Sequence, residues 1–190
     1  MDYLIAPECI ACDGFILRSY RPGDGGLLSE AVNDSYEHLA PLMPWAKPQQ
    51  SVEESEKLVR EFRARYLLAE DFVIGIFNTD QTRLLGGTGF HLREGPLATK
   101  SAEIGMFIRK SEAGKGLGTE ALKAMLTWGF DAWPWIRLAW ICDSRNKASI
   151  RTAEKAGMEK EGLRRGQAAE VGDGRRDTVL FGALRDNWAE

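Results

Sequence analysis

Residues 101–120 read SAEIGMFIRKSEAGKGLGTE. The opening stretch alternates, with Ala102, Ile104, Met106 and Ile108 on one face and Glu103, Gly105 and Phe107 on the other, which predicts a strand over 101–109. From Gly116 a helix is expected to run to Asp131, burying Leu117, Ala121, Met125 and Trp128 at helical intervals. Between the two, Gly114, Gly116 and Gly118 alternate with Lys115 and Leu117, and Thr119 follows. Glycines at these positions permit left-handed backbone, so several amide N–H groups can converge on an anion. The start of the helix adds its dipole and its unpaired first-turn N–H groups to the same place, and Lys115 adds a charge. Strand, glycine turn and helix start in this order point to the pyrophosphate of a nucleotide-derived cofactor.

The glycine spacing narrows the choice. A P-loop places a lysine directly before the Ser or Thr that holds magnesium, whereas here Gly118 precedes Thr119, so ATPase chemistry is disfavoured. A dinucleotide fingerprint needs G-x-G-x-x-G after the first strand of the fold, and this G-x-G-x-G lies past mid-chain. A nicotinamide-dependent oxidoreductase is therefore a weaker alternative.

Working outward, the chain predicts an α/β fold. Strands are expected at 15–20, 72–77 and 84–92, the last two joined as an antiparallel hairpin by the polar turn 78–83. Pro22-Gly23-Asp24 opens a helix through Val32, and Ser51 with Glu54 forms a capping box for a helix over 52–70. Arg137–Cys142 reads as a strand. Asn146 begins a helix that Gly157 ends in the left-handed conformation, and strands at 158–165 and 178–184 complete the pattern. Early strands join through hairpins and later ones through helices, so a mixed sheet with helices on both faces is expected. Trp128, Trp133, Trp135 and Trp140 are read as core.

Composition fits one domain over 1–190: 190 residues with 44% hydrophobic content make one core and are short for two. A net charge of −3 gives no reason to propose nucleic acid as a partner, and the arginines at 164, 165, 175 and 176 are diluted by Asp173 and Asp177. The absence of a ~20-residue apolar run argues against membrane insertion. Asp2 and Glu8 do not suit a secretory leader, so a cytoplasmic location is expected. Cys9, Cys12 and Cys142 are an odd number, and the C-x-x-C lacks a second Cys or His pair at zinc spacing, so no metal is expected. His38 and His91 are isolated in the sequence, with no His or carboxylate partner at i+4.

Glu103-Ile104-Gly105, AGKGLGTEA from Ala113, DSRNKAS from Asp143 and AEKAGMEKEGLRR from Ala153 together resemble the GNAT superfamily of acetyltransferases, and within it the bacterial ribosomal-protein N-terminal type. The resemblance runs from about residue 15 to 187. It implies a mixed, mostly antiparallel sheet, acetyl-CoA as cosubstrate without a metal, and direct attack of a primary amine on the thioester. By resemblance, Phe107 and Ile108 lend backbone N–H groups to the pantetheine arm and thioester oxygen. The turn from Gly114 to Thr119 takes the pyrophosphate, Asn146 bonds the pantetheine amides, and Ser149 donates to the departing sulfur. Both Asn146 and Ser149 also suit helix capping. Glu103 is the first choice for the base and Glu170 the second. The family usually carries Arg or Gln where this chain has Ala113.

Tyr36, Leu39, Met43 and Trp45 fall on the helix and loop that cover the acceptor side in this superfamily. The subfamily implies a protein or peptide α-amine as acceptor, with a polyamine, amino acid or aminoglycoside as the alternative. A non-catalytic acetyl-CoA sensor is a further alternative. Oligomeric state is left open, a homodimer among the options.

Overall fold

The computed structural model describes residues 4–43, 45–169 and 174–188. Eight strands form one sheet: β1 (Cys9–Cys12), β2 (Phe15–Ser19), β3 (Phe72–Phe77), β4 (Leu84–His91), β5 (Ser101–Ile108), β6 (Arg137–Asp143), β7 (Glu159–Ala169) and β8 (Arg175–Leu184). Five helices accompany them: α1 (Gly25–Leu39), α2 (Val52–Leu67), α3 (Leu117–Asp131), α4 (Lys147–Lys155) and the short α5 (Arg185–Trp188). The spatial order is β1-β2-β3-β4-β5-β6-β8-β7. All neighbours run antiparallel except β5 and β6. This is the mixed, mostly antiparallel arrangement expected from the sequence.

Two apolar cores lie on opposite faces. Ile74, Ile104, Leu122, Met125, Trp128 and Trp135 belong to the larger one, which contains the buried residues of α3. Tyr20, Leu28, Val32, Val59 and Phe77 form the smaller one beside α1 and α2. Strand alternation explains the division, since Phe72, Ile74 and Ile76 enter the first core while Val73 packs against the second. Four tryptophans, at 128, 133, 135 and 140, are buried as expected, three of them in edge or stacked ring contacts with one another.

Local signals account for most boundaries. Ser51 Oγ accepts from the Glu54 N–H at 3.1 Å and Glu54 accepts from the Ser51 N–H at 2.9 Å, so the capping box forms in full. α2 ends at Leu67, three residues before the expected Glu70. Ala69 adopts a left-handed φ of 55°, the Glu70 N–H donates to the Arg65 carbonyl, and the Ala69 N–H donates to Tyr66. The reversal normally favours glycine, which is why an alanine there gave no stop signal. Gly157 ends α4 by the same hydrogen-bond pattern, at φ 86°.

One strand was not expected. β1 carries the C-x-x-C and pairs with β2 through Cys12↔Phe15, turning at Asp13-Gly14, with Gly14 at φ 80°. An Asp-Gly between short apolar runs is a hairpin signal. Cys9 and Cys12, three apart on a strand, point to opposite faces. No cluster of metal-ligating side chains occurs among the described residues. Among the same residues no helix is long and apolar enough to cross a membrane.

Candidate active site

The parallel pair β5–β6 opens like a V. Its register runs Ser101↔Arg137, Ala102↔Leu138 and Glu103↔Ala139 and then stops, although β5 continues to Ile108 and β6 to Asp143. The strand edges beyond Glu103 and Ala139 therefore face each other unpaired, and they line an open cleft of about 2040 Å³.

Alternation decides which N–H groups face the opening. The Arg109 N–H donates to the Leu85 carbonyl of β4 at 2.8 Å, so Phe107, two residues earlier, turns its N–H to β4 as well. Ile108 and Met106 are left with theirs on the open side. Of the pair Phe107 and Ile108, only Ile108 has the backbone orientation expected of a donor into the cleft. Phe107 contributes its ring, which meets Trp45 edge-on at 5.5 Å between centroids.

The glycine turn lies at the far end of β5. Gly114 and Gly116 take left-handed φ values of 76° and 94°, with nothing within 4 Å of where a Cβ would stand. Gly118 sits in the first turn of α3. The N–H groups of residues 114–118 donate to no acceptor among the described residues, whereas those of Thr119 and Glu120 return to the Gly116 carbonyl. A row of free N–H groups at a helix start is an anion cradle in need of an anion.

Side chains brace this turn from two directions. Arg109 is buried and bonds Glu30 at 2.6 Å and also Asp34, both on α1, while the Lys110 N–H donates to Ser35 Oγ at 3.0 Å. Glu112 accepts from Arg83 at 2.8 Å. Burial pushes the Glu112 carboxyl up, but hydrogen bonds from Arg83, Lys115 and Ser111 outweigh it and hold the group below the ordinary carboxylate range. The Lys115 ammonium is exposed and lies 3.3 Å from Glu112. Its charge is thus shared with a carboxylate, and the backbone carries the anion-binding character.

On the β6 side, Asn146 is the N-cap of α4, its Oδ1 accepting from the Ser149 N–H at 3.0 Å. That use leaves its amide NH2 available to a ligand. Ser149 does not cap. Its Oγ accepts from Trp140 Nε1 at 2.9 Å, and since an indole N–H only donates, the hydroxyl proton is directed away from Trp140, toward the Cys142 sulfur or a ligand in the cleft. The Cys142 thiol lies beside it. Burial pushes that thiol up, the Ser149 hydrogen bond opposes this, and Asp143 adds to the rise.

The third wall is a trough on the α1–α2 face of β4 and β5. Gly87 faces Phe107, Gly89 faces Gly105, and His91 faces Glu103 across the ladder. Glycines at 87, 89 and 105 leave that surface low; a Cβ at Gly87 would come within 2.5 Å of the Phe107 ring. Glu103 is buried to 8% exposure and pairs with Arg93 at 2.5 Å. Tyr20 also lines the cleft, and burial, followed by the nearby Asp24, holds its hydroxyl in the protonated form.

Of the residues singled out from the sequence, Leu39, Met43, Trp45, Glu103, Phe107, Ile108, Gly114, Gly116, Gly118, Thr119, Asn146 and Ser149 line this cleft, as does Ala113. Tyr36 does not: it borders a separate shallow hollow with Asn33, Asp34 and Gln50. Lys115 turns to Glu112, and Leu117 packs against the larger core. Glu170 lies outside the described residues. Tyr20, Arg93 and the His91–Asp71 pair were not singled out as site residues. Their association arises from strand register, which no short sequence motif announces.

With the geometry in place, comparison with known proteins defines the class. Residues 15–159 match the Acetyltransferase (GNAT) domain, and the chain belongs to that family. It is 35% identical over 116 residues to "Probable N-acetyltransferase YjcK" of Bacillus subtilis (strain 168), a match covering 60% of this chain and 63% of that relative's length. Among solved structures it is similar to RimL, the ribosomal L7/L12 alpha-N-protein acetyltransferase in complex with coenzyme A, with TM-score 0.82, 22% identity and coverage of 93% of this chain and 98% of that one. It is also similar to the microcin C7 self-immunity acetyltransferase MccE in complex with acetyl-CoA and AMP, with TM-score 0.79, 20% identity and coverage of 91% and 93%. These two likenesses concern the fold.

Proposed function

We propose that this protein is an acetyl-CoA-dependent N-acetyltransferase whose acceptor is the α-amine of a protein or peptide N-terminus. The observation that carries the cofactor is the row of unpartnered N–H groups at 114–118, set at the start of α3 and at one end of the unpaired edge of β5. Family membership and the description of YjcK as an N-acetyltransferase point the same way. Acetyl-CoA supplies an activated carbonyl carbon, so the protein's work is positioning and proton handling.

Each wall then has a task. The backbone of residues 114–118 takes the pyrophosphate, and the free first-turn N–H groups of α3 add their dipole. Met106 and Ile108 offer N–H groups along the open edge, and Asn146, at the start of α4, lines the same cleft and offers its amide NH2. Ser149, already accepting from Trp140, directs its proton to the departing sulfur. Glu103 presents a carboxylate to the incoming ammonium. Ala113, where the family usually has Arg or Gln, adds no polar side chain to this backbone cradle.

The α-amine assignment rests on fold likeness to RimL and on amine chemistry. α-Amines have pKa values of about 7.7–8.0 against about 10.4 for lysine, so near neutral pH the nucleophile is a few hundred times more abundant, roughly 3.5 kcal/mol in favour. The trough beside Trp45 and Phe107 is open enough for a chain end to enter. Calorimetry with acetyl-CoA and with NADPH tests the cofactor: binding of NADPH alone would overturn the assignment. Mass spectrometry on a panel of N-terminal peptides, polyamines, amino acids and aminoglycosides tests the acceptor. Product on polyamines or drugs and on no peptide would overturn the α-amine reading and leave the acetyltransferase standing.

A further inference from the structure

Asp71 immediately precedes β3 and His91 ends β4. Because Phe72 pairs with Phe90, these two residues meet at the open end of the β3–β4 hairpin, twenty positions apart in sequence. His91 Nδ1 lies 2.7 Å from Asp71 Oδ1. The left-handed turn at Ala69 that closes α2 brings the chain into β3 and so sets Asp71 at this corner.

A carboxylate can only accept, so Nδ1 carries a proton, and in the neutral ring Nε2 is the nitrogen with the lone pair. The ring lies over the glycine trough. A Cβ on Gly105 would stand 3.0 Å from Nε2, and one on Gly89 would stand 3.1 Å from it. Either side chain would crowd the imidazole, and their absence leaves room for Nε2 over β5 beside its ladder partner Glu103. His91, Asp71, Glu103 and Gly105 all line the cleft that contains Ser149 and the glycine turn.

We infer that His91 is the proton acceptor for the amine, with Asp71 as its positioning residue, an assignment that rests on the acetyltransferase reading above. Glu103 is the poorer acceptor on geometric grounds: Arg93 already holds its Oε1, and protonation there would break the pair. One proton passes from the acceptor ammonium to His91 Nε2, giving an imidazolium balanced by Asp71. The freed lone pair forms the C–N bond as the C–S bond breaks. The departing sulfur gains a proton from Ser149, which recovers one as the new amide nitrogen gives up its second. The imidazolium then releases its proton to water. Other charged groups lining the same cleft include Lys57, Glu61 and Arg65 of α2, Glu70 ahead of β3, Arg93 beyond β4 and Arg176 of β8.

The test is steady-state kinetics of the wild type, H91Q, D71N and E103Q with acetyl-CoA and N-terminal peptides across neutral pH, paired with acetyl-CoA calorimetry. H91Q is expected to lower kcat/KM about 100-fold or more and to abolish the acid limb of its pH profile, with cofactor affinity unchanged. D71N should lower it about tenfold through kcat with the KM for acetyl-CoA unchanged, because the ring loses the carboxylate that fixes its tautomer and orientation. Activity of H91Q within about threefold of wild type, or an acid limb lost only in E103Q, overturns the inference. A wild type that binds acetyl-CoA and acetylates no amine overturns the underlying reading instead, and the inference with it.

Discussion

The two ends of the cleft are made of different material. At the end proposed for the cofactor, residues 114–118 and the unpaired edge of β5 offer backbone N–H groups, and side chains such as Arg109 and Glu112 serve as braces. At the end proposed for the acceptor the backbone is consumed by the β4–β5 ladder, and the side chains of His91, Glu103, Tyr20 and Trp45 line the cleft around a floor of glycines. A backbone site depends on conformation and tolerates most side-chain changes that keep it. A side-chain site depends on register, and a single substitution can remove its chemistry.

The sharpest contrast comes from Gly116. Its φ of 94° is strained for any L-residue, and a carboxylate there would oppose the pyrophosphate. Gly116→Asp is expected to weaken acetyl-CoA binding about 100-fold, close to 2.8 kcal/mol, as read by calorimetry. Unchanged affinity in a folded variant would remove the backbone account of this end.

Ser149→Ala tests the junction between the two ends. Loss of the proton donor should lower kcat about tenfold. Loss of the acceptor for buried Trp140 Nε1 should cost about 1–3 kcal/mol in denaturant melts. The helix cap remains, because Asn146 provides it. Full activity with reduced stability would assign Ser149 to structure alone.

Glu103→Gln should act at the acceptor end only. The KM for the amine is expected to rise about fivefold with kcat within about threefold and acetyl-CoA affinity unchanged, since a carboxylate that holds an ammonium contributes to binding rather than to proton removal. A kcat defect that shrinks as pH rises would restore Glu103 as the base.

The smallest effect concerns pH. Asp143 is buried beside the cleft; hydrogen bonding from Arg145 lowers its carboxyl, outweighing the burial that raises it. Glu112 at the glycine turn is lowered on balance as well. A carboxyl depressed in the folded state contributes stability that is fully present above its unfolded pKa, about 3.9 for Asp and 4.3 for Glu, and is lost as pH falls through the folded value. The melting temperature should therefore be flat above about pH 5.5 and decline below about pH 4.5. A rise on acidification would contradict the ion-pair description.

The same division explains what the sequence could disclose. Strand β5, the glycine turn and α3 are contiguous, and their periodicity and punctuation make this strand–turn–helix legible in the sequence. The capping box at Ser51 and the stop at Gly157 are equally local. The His91–Asp71 pair is not: His91 reads as isolated because its carboxylate partner lies across a hairpin, and only the pairing Phe72↔Phe90 brings them together. Tyr36 illustrates the converse. It lies on the expected helix, yet the helix rotation that buries Leu28, Val32 and Leu39 leaves it facing the hollow with Asn33. Phe107 and Ile108 were adjacent candidates for one task, and strand alternation divides them between ring and N–H.

Amide chemical-shift mapping of the full chain during titration with acetyl-CoA tests the division most directly. The largest shifts are expected at Gly114–Thr119 and at Met106, Ile108 and Asn146, with small changes around Asn33 and Tyr36. Shifts centred on the Asn33–Tyr36 hollow, with the Gly114–Thr119 amides unmoved, would contradict it.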